Sequence, residues 1–419
     1  MLNRILILSA SSGAGHVRAG QAIAKAFAQS NIAAEVRHVD ALEYCSPALR
    51  RIYSRGYIDM VNHAPTVLGI LYDTADKPWK DENSRMAFDR LNTLPLAKFI
   101  KSFGADLVIC THFLPAEITS WLLCKKRIAA RHAVVVTDFD AHSMWLCRHF
   151  DQYFVALDET KEHLFQEGVP KQRVLVSGIP IDPDFAKPKN KLEMRQKYDI
   201  HPELPTILLS AGGFGVGPVE LLLQSLKQLK HPAQVIALCG KNAELKNRLE
   251  KERENTANGS LIIKPVGYTD KIDEYMAASD ILLGKPGGLT TAEAISKGLA
   301  MVIVNPIPGQ EERNSDHLLE QGIAIRCNNL PTLAYKIDKL LDEPARLKDM
   351  RENAIQLSNP NAAVDIVRTL IECKEAPAIN FTGDHQCESG MKRLATNSAR
   401  RFKTVRKLAA RQRKRRRDN

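Results

Sequence analysis

The stretch ILILSASSGAGHVRAGQAIAKAF, residues 5 to 27, predicts a strand, a tight loop and a helix in direct succession. Ile5 to Leu8 form an uninterrupted apolar run, which is typical of a strand covered on both faces of its sheet. The segment 9–15 then supplies the small residues and glycines of a tight turn. Small and apolar residues recur beyond it at helical spacing, at Ala19, Ala22, Ile23, Ala26 and Phe27.

His16 lies in this loop and is the leading candidate for the catalytic group. It falls at or beside the positive end of a helix dipole, where a neutral imidazole is favoured over imidazolium. A neutral imidazole suits a general base. The alternative is that His16 only caps the helix or contacts a phosphate.

The glycine pattern of this loop departs from a dinucleotide fingerprint. Gly13 and Gly15 fit the first two positions, but Arg18 stands where a third glycine is expected. Nicotinamide binding is therefore a minor alternative, although Glu35 and Asp40 lie near the distance where a ribose-binding acid is expected.

Length and composition predict a two-domain α/β protein with appendages, because 419 residues exceed what one core serves. The eight cysteines are scattered without a CxxC pair, which indicates reduced thiols, a cytoplasmic setting and no structural zinc. No apolar run approaches the roughly 18 residues of a transmembrane helix, so we expect no membrane span.

The net charge of +11 is concentrated in the C-terminal segment 392–419, which contains thirteen Lys or Arg and one Asp. Apolar residues occur in it near helical spacing, at Leu394, Phe402, Val405, Leu408 and Ala409. Anionic lipid headgroups and nucleic acid would both attract such a segment. The alternative is a disordered, solubilising extension.

Apolar runs predict six strands in each half of the chain, separated by helical stretches. The predicted strands are 4–9, 35–39, 106–111, 133–137, 152–156 and 173–176, then 206–210, 234–239, 261–264, 280–283, 300–305 and 323–326. Three prolines and a glycine in 178–190 mark the junction. We therefore expect two doubly wound domains, 1–180 and 181–375, whose strand ends bound a central cleft, and a linker with a basic tail at 376–419.

The second half opens with ILLSAGGFGVGP, residues 207 to 218, in which a buried strand enters a glycine loop. Backbone amides approach a diphosphate closely only where side chains are small, and a helix start adds a favourable dipole. The loop predicts phosphate or substrate contact through Gly212, Gly213, Phe214 and Gly215, with a merely tight turn as the alternative.

The most specific sequence is GKPGGLTTAEAISKGLAMVIVNPIPGQEERN, residues 284 to 314. A diphosphate on the amides of Gly288, Leu289 and Thr290 would leave Glu293 pointing at neighbouring sugar hydroxyls. Alternatively, Glu293 closes a capping box with Thr290. Gln310, Glu311 and Asn314 follow the next strand, at the same edge of the cleft.

These motifs resemble those of GT-B glycosyltransferases in the group of plant monogalactosyldiacylglycerol synthases and bacterial processive diacylglycerol glycosyltransferases. The resemblance spans about residues 4 to 373 and rests on SSGAGH, VVTDFDAHSMW (135–145), SGIPI (177–181), GGFG, GKPGGLTTAEA and PGQEERN. The second half also resembles the murein transferase that adds N-acetylglucosamine to lipid I.

The resemblance implies a role for each motif. His16 becomes the base that deprotonates the acceptor hydroxyl, and the glycine loops, Gly287 and Gly288 included, become donor-diphosphate sites. Glu293 would hold the ribose. The uracil would lie by Val266, Gly267 and Tyr268, and the donor sugar or ribose by Gln310, Glu311 and Asn314.

The resemblance also implies that no metal is bound, because helix dipoles and amides would stabilise the departing UDP. Ile181 and Asp182 stand where the murein transferase has an arginine. Another residue must therefore supply the positive charge beside the diphosphate, and Lys285 is one candidate. Asp138, Phe139 and Asp140 spell DxD, but we reject a metal site there because the motif follows a strand of the first half.

The resemblance assigns acceptor recognition to that half, with Gly13, Gly15, Asp138, His142 and Trp145 on the acceptor side. A polar-capped loop with a packing tryptophan is the alternative for the last three. A long insertion between Tyr44 and Lys101 mixes basic and aromatic residues in a way that suits lipid headgroups, although helices packed on the core would explain it too. Its members are Arg50, Arg51, Tyr53, Arg55, Tyr57, Leu68, Leu71, Tyr72, Trp79 and Lys80.

The prediction is an inverting, metal-independent glycosyltransferase that moves a hexose from UDP-glucose or UDP-galactose to the 3-hydroxyl of 1,2-diacylglycerol. It would act as a peripheral protein on the inner, cytoplasmic face of the plasma membrane, with segment 392–419 on anionic lipid. Alternatives are a UDP-sugar transferase for another lipid or isoprenoid-linked acceptor, and a basic-tailed protein that only senses UDP-sugar. A hydrolysing epimerase shares the fold but lacks these acceptor-side features, and nucleic-acid binding is a weaker interpretation of the tail.

Overall fold

A computed structural model describes residues 2–30, 32, 34–76, 92–210, 219–255 and 261–373. Within these residues the chain forms two sheets of six parallel strands each. The first contains β1 (Arg4–Ser9), β2 (Glu35–Asp40), β3 (Leu107–Cys110), β4 (Arg131–Val135), β5 (Gln152–Val155) and β6 (Val174–Val176). The second contains β7 (Thr206–Ser210), β8 (Ala233–Gly240), β9 (Leu261–Gly267), β10 (Ile281–Gly284), β11 (Ala300–Val304) and β12 (Ala324–Cys327).

Helices connect the strands on both faces of each sheet. In the first half they are α1 (Ala14–Gln29), α2 (Pro47–Arg51), α3 (Tyr57–His63), α4 (Pro65–Ala75), α5 (Leu94–Phe103), α6 (Phe113–Cys124) and α7 (Asp158–Gln166). In the second half they are α8 (Lys191–Lys197), α9 (Val219–Leu226), α10 (Ala243–Asn255), α11 (Ile272–Ala277), α12 (Gly288–Ser296), α13 (Gln310–Glu320), α14 (Leu333–Leu341), α15 (Pro344–Leu357) and α16 (Ala362–Glu372).

The strand order is β2-β1-β3-β4-β5-β6 in one sheet and β12-β11-β10-β7-β8-β9 in the other. The doubly wound fold and all twelve predicted strands are confirmed, with small differences at the ends. The largest are at β9, which continues to Gly267, and at β4, which begins at Arg131 and ends at Val135. Such shifts are expected because apolar content marks the middle of a buried strand better than its ends.

The apolar run that opens the chain is buried completely. Ile5 to Leu8 have no exposed surface, and burial of each such side chain contributes about 1.5–3 kcal/mol. Gly20 lets α1 lie against β1, since a Cβ at this position would be only 2.3 Å from Ser9 Oγ. The close packing of α1 on β1 fixes where the first turn of α1 emerges at the sheet edge.

The last helix returns to the first half. In α16, Ala363, Ile366, Val367 and Leu370 belong to the same buried cluster as Ile5, Ile7, Ile23 and Phe27. Arg131 Nη1 donates to the carbonyl oxygen of Leu370 at 2.9 Å. The two halves are therefore joined both at the 178–190 junction and by α16.

Several sequence predictions concern residues outside the described ranges. These are the glycine loop with Gly212, Gly213, Phe214 and Gly215, the insertion residues Trp79 and Lys80, and the basic segment 392–419. The cysteines at seven described positions are all free thiols. Among the described residues, no helix combines the length and apolar character needed to cross a bilayer.

Candidate active site

Three loops converge at the carboxyl ends of adjacent strands in the first sheet. His16 lies in the first turn of α1 after β1, Thr111 directly follows β3, and Thr137 follows β4. Because β1, β3 and β4 are neighbours in the sheet, these residues meet at one edge. Their side chains and carbonyl groups form the immediate surroundings of the imidazole.

Two hydrogen bonds hold the His16 ring by one nitrogen. Nδ1 lies 3.1 Å from the carbonyl oxygen of Thr111 and 2.8 Å from Thr137 Oγ1. A carbonyl oxygen can only accept, so the proton of the neutral ring resides on Nδ1. The lone pair is then on Nε2, which is the form a general base requires.

The protonation of His16 follows from its surroundings. Desolvation in this crowded loop cluster lowers the pKa of His16 to about 4, against the opposing effect of the Thr111 hydrogen bond. The positive end of the α1 dipole also disfavours imidazolium. His16 is therefore neutral at physiological pH.

A second histidine, which the sequence analysis missed, lines the same site. The rings of His16 and His112 are perpendicular, with centroids 4.6 Å apart, and Trp145 lies 6.4 Å from each. His112 Nδ1 accepts from the Leu114 amide and its Nε2 faces Ser12 Oγ at 3.1 Å. Burial and the neighbouring His16 hold the pKa of His112 well below its ordinary value.

The two glycines of the first loop have different surroundings. A Cβ at Gly13 would meet no atom within 4 Å, so the space beside Gly13 is open. A Cβ at Gly15 would lie 3.5 Å from Cβ of Leu289 in α12. The first turn of α1 thus faces the first turn of α12 across the cleft.

The N-terminus of α12 abuts the first half even more closely. Gly287 precedes this helix, and a Cβ at Gly288 would stand 2.1 Å from the Thr137 carbonyl oxygen. Only glycine allows this approach of the two backbones. The start of α12 therefore packs directly against the loop that follows β4, and an anion placed at the amides of Gly288, Leu289 and Thr290 would meet the positive end of this helix.

Glu293 lies one turn further along α12 and is buried, with 1% of its surface exposed. Arg18 Nη2 in α1 donates to Glu293 Oε1 at 2.5 Å. Burial raises the pKa of Glu293 to about 7, and the positive charge of Arg18 opposes that rise. The capping box with Thr290 that the sequence allowed is not formed.

The start of α13 contributes a second set of contacts across the cleft. Gln310 Nε2 donates to Asp138 Oδ1 at 2.5 Å, and Asn314 Oδ1 accepts from the Phe139 amide at 3.1 Å. Asn314 Nδ2 also donates to the Pro286 carbonyl oxygen. Burial raises the pKa of Asp138 to about 6.

Glu311 and Lys285 lie together beside the start of α12. Glu311 Oε2 accepts from the Ile307 amide at 2.7 Å, and its other oxygen would be 3.7 Å from a Cβ at Gly287. Burial raises the pKa of Glu311 to about 7, while the charge of Lys285 opposes that rise. Lys285 is thus close to the helix start where a diphosphate would sit.

Arg313 links the insertion to the second half. It donates to Asp140 Oδ2 at 2.8 Å and to Asp76 Oδ2 at 2.7 Å, and its guanidinium lies 5.2 Å from the centre of the Tyr72 ring. His142 Nε2 donates to the Tyr72 carbonyl oxygen, and its Nδ1 accepts from Met144. His142 therefore contacts α4, and both its nitrogens are engaged.

The predicted uracil site is at the end of edge strand β9. Val266 is buried and Gly267 ends the strand, whereas Tyr268 is exposed and its ring lies 5.5 Å from Lys241 Nζ. An exposed aromatic ring at a strand end offers a flat surface for a base.

The DxD carboxylates both have side-chain partners. Asp138 accepts from Gln310, and Asp140 accepts from Arg313 and contacts His163 Nδ1 at 3.2 Å. Over the described ranges, no group of three or more His, Cys, Asp or Glu is arranged to hold a metal ion.

Sequence reasoning missed the polar side chains that follow neighbouring strands, at Thr111, His112 and Thr137. They could have been found by inspecting the residue directly after every predicted strand, because parallel strands end at the same edge. Arg18 and Arg313 were also missed, since their partners lie far away in sequence.

Comparison with known proteins agrees with this architecture. The family model described as monogalactosyldiacylglycerol (MGDG) synthase matches residues 16–181, and the model described as glycosyl transferases group 1 matches residues 190–357. A processive diacylglycerol beta-glucosyltransferase of Bacillus licheniformis is 29% identical over 375 residues, which cover 88% of this chain and 95% of that protein. The Staphylococcus aureus protein of the same name is 30% identical over 341 residues, covering 80% of this chain and 83% of that protein.

Solved structures show the same fold at low sequence identity. MurG of Acinetobacter baumannii aligns with a TM-score of 0.58 at 16% identity, covering 88% of this chain and 99% of that one. Staphylococcus aureus MnaA, solved with UDP, aligns with a TM-score of 0.56 at 15% identity, covering 88% and 96%. The two facing sheets are thus those of the GT-B fold.

Proposed function

The chain belongs to the family of monogalactosyldiacylglycerol synthases and processive diacylglycerol beta-glucosyltransferases, and on that premise we propose how its residues act. It transfers a hexose from a UDP-sugar to the 3-hydroxyl of diacylglycerol and inverts the anomeric carbon to give a β-linked glycolipid. The proposed donor hexose is glucose rather than galactose, a choice supported by the relatives of Bacillus licheniformis and Staphylococcus aureus, which are named beta-glucosyltransferases.

The observation that carries the proposed mechanism is the orientation of His16. The Thr111 carbonyl oxygen accepts a hydrogen bond from the protonated Nδ1 of His16. The lone pair of Nε2 is then available to the acceptor hydroxyl. The open space beside Gly13 gives that hydroxyl room to approach. Nε2 takes the proton as the hydroxyl oxygen attacks the anomeric carbon and the bond to UDP breaks in one displacement.

The second half holds the donor. The amides at the start of α12 and the charge of Lys285 would receive the diphosphate, and Glu293 would accept from the ribose hydroxyls. Fixed dipoles of this kind stabilise charge on a leaving group without a metal. Glu311 and Gln310, at the start of α13, would face the donor sugar, and the exposed Tyr268 would lie by the uracil.

The acceptor reaches the site from a membrane surface to which the enzyme binds peripherally, on its cytoplasmic side. The insertion supports this arrangement because it carries exposed apolar side chains, at Ile70 and Leu71 in α4 and at Ile52, which directly follows the exposed Arg51 in sequence. Apolar side chains flanked by cations suit the boundary between anionic headgroups and acyl chains. The basic segment 392–419 would add electrostatic attraction to anionic lipid.

The test is identification of the product. Purified protein is incubated with diacylglycerol in anionic vesicles and either UDP-glucose or UDP-galactose, and the lipids are analysed by mass spectrometry and sugar-linkage analysis. We expect β-glucosyl diacylglycerol from UDP-glucose and much less product from UDP-galactose. UDP release without a new glycolipid, or a sugar attached to another acceptor, would contradict the proposal.

A further inference from the structure

Arg18 of α1 forms an ion pair with Glu293 of α12. It lies on the acceptor-side half, two residues after His16, and reaches across the cleft to a carboxylate of the other half. Glu293 is buried while the Arg18 side chain is 40% exposed. A buried carboxylate is costly unless it is paired, so this partner determines which form Glu293 adopts.

The other charges around Glu293 do not replace Arg18. Asp182, before the turn that leads into the second half, and Asp273 in α11 are negative and favour the protonated form of Glu293. Each of them faces its own cation, since Lys25 Nζ lies 2.7 Å from Asp182 and Lys189 Nζ lies 2.6 Å from Asp273.

The helix α15, which packs against α12, also directs Arg351 away from Glu293. In α15, Arg351 donates to the Gly298 carbonyl oxygen and to Asp280. Among the described residues, the cation paired with Glu293 is therefore the one that α1 supplies.

We propose that Arg18 is a positioning residue of the donor site, which holds Glu293 as an oriented carboxylate ready to accept both ribose hydroxyls of the UDP-sugar. The inference rests on the proposed role of Glu293 in binding the ribose. It adds that the ribose site is completed by the acceptor-side half.

Two physical points support this role. Only the ionised carboxylate has two oxygens that accept from a vicinal diol without donating. With its pKa raised to about 7 by burial, Glu293 would lose that form at neutral pH if the opposing charge of Arg18 were removed. Because Arg18 belongs to the first half, the ribose contact also reports whether the two halves are closed.

The experiment measures the affinities of UDP and 2′,3′-dideoxy-UDP by calorimetry from pH 6 to pH 9, using the full chain. The dissociation constant of 2′,3′-dideoxy-UDP divided by that of UDP isolates the contribution of the ribose hydroxyls. Ionisation of the diphosphate affects both ligands equally and therefore cancels in this ratio. The wild-type ratio is expected to rise through a midpoint near pH 7, as Glu293 ionises. In Arg18→Met the midpoint should move up by about one pH unit or more, which lowers the ratio at pH 7 by up to about tenfold.

Two further variants separate charge from general loosening of the interface. Arg18→Lys keeps the cation, so its midpoint should lie close to the wild-type value. Arg313→Met is the matched control, because Arg313 also pairs across the two halves, with Asp140 and Asp76, but is not among the charges that shift the pKa of Glu293. Its midpoint should remain at the wild-type value.

The outcomes are distinguishable. A wild-type midpoint in Arg18→Met, or an equal shift in Arg313→Met, would overturn the role of Arg18. A ratio that keeps its pH dependence in Glu293→Gln would overturn the ribose role of Glu293 and this inference with it. Failure of the wild-type chain to bind UDP would overturn the proposed function itself.

Discussion

At the scale of single residues, the site depends on a histidine held by a main-chain carbonyl. Many catalytic histidines face a carboxylate, which stabilises imidazolium, but the Nδ1 proton of His16 faces the Thr111 carbonyl oxygen and Thr137 Oγ1. A carbonyl orients the ring and selects its tautomer with much less stabilisation of the charged form. Desolvation then keeps the ring neutral.

This environment predicts an unusual titration of His16. Its pKa is lowered to about 4, so the ring stays neutral, with its proton on Nδ1, from neutral pH down to about pH 5. ¹⁵N NMR of histidine-labelled protein measures both the midpoint of the His16 titration and the tautomer of its ring. The His16→Gln variant assigns the signal. His163 is an internal comparison, because its hydrogen bond to Asp140 raises its pKa above 6.5. A His16 midpoint above 6, or a proton on Nε2, would contradict this account of the site.

At the scale of secondary-structure elements, the strands and the loops at their ends could be predicted from the sequence. The contacts across the cleft could not. Apolar runs located every strand, and the turn residues placed His16 and the start of α12 at strand ends. The pairing of Arg18 with Glu293 joins positions 275 apart, and that of Arg313 with Asp140 joins positions 173 apart. Nothing in the periodicity of either segment encodes such a pair.

The same limitation affects the polar side chains near the site. The family resemblance implied that Asn314 faces the donor and that His142 lies on the acceptor side. In the structure Asn314 bridges the two halves through backbone groups, and His142 holds α4. Their roles in substrate binding stay predictions, because a side chain's partner depends on which loops the tertiary fold brings to it.

Arg313 should control how firmly α4 is held against the second half. Its removal leaves the carboxylates of Asp76 and Asp140 without their shared cation. In Arg313→Met, amide hydrogen exchange in α4 should accelerate about tenfold, equivalent to about 1.4 kcal/mol. Arg326→Met is the control, since Arg326 pairs with Glu312 and Asp316 within the second half. Unchanged exchange in Arg313→Met, or equal acceleration in both variants, would show that Arg313 does not hold α4.

At the scale of the whole molecule, the second half is followed by a helix that packs back on the first half. The last described helix, α16, packs in the core of the first half, so the described part of the chain ends at residue 373 beside the half that carries the insertion. The segment 392–419 holds thirteen basic residues, while the first 391 residues have a net charge of about −1. The proposed membrane attachment therefore separates into an apolar contact by α4 and an electrostatic contact by the tail.

Truncation after Met391 should weaken binding to anionic vesicles more than it affects the fold. Each basic residue near an anionic surface contributes about 1 kcal/mol, so contact of even a few of the thirteen with lipid means that their loss should reduce vesicle partitioning by more than about tenfold at moderate salt. Vesicle sedimentation measures this effect, and UDP affinity serves as the control because the donor residues remain. Unchanged sedimentation of the truncated protein would exclude attachment through the tail.

The most direct test of the account is the separation of turnover from donor binding at His16. In His16→Ala, glycolipid formation from UDP-glucose and diacylglycerol should fall by about 10²- to 10⁴-fold, the usual contribution of a positioned base. The affinity for UDP should stay close to that of the wild type, since the hydrogen-bond partners of His16 are Thr111 and Thr137 and not the residues proposed to hold UDP. Turnover within a few-fold of the wild-type rate, or loss of UDP binding that accounts for the whole defect, would contradict the assignment of His16 as the base.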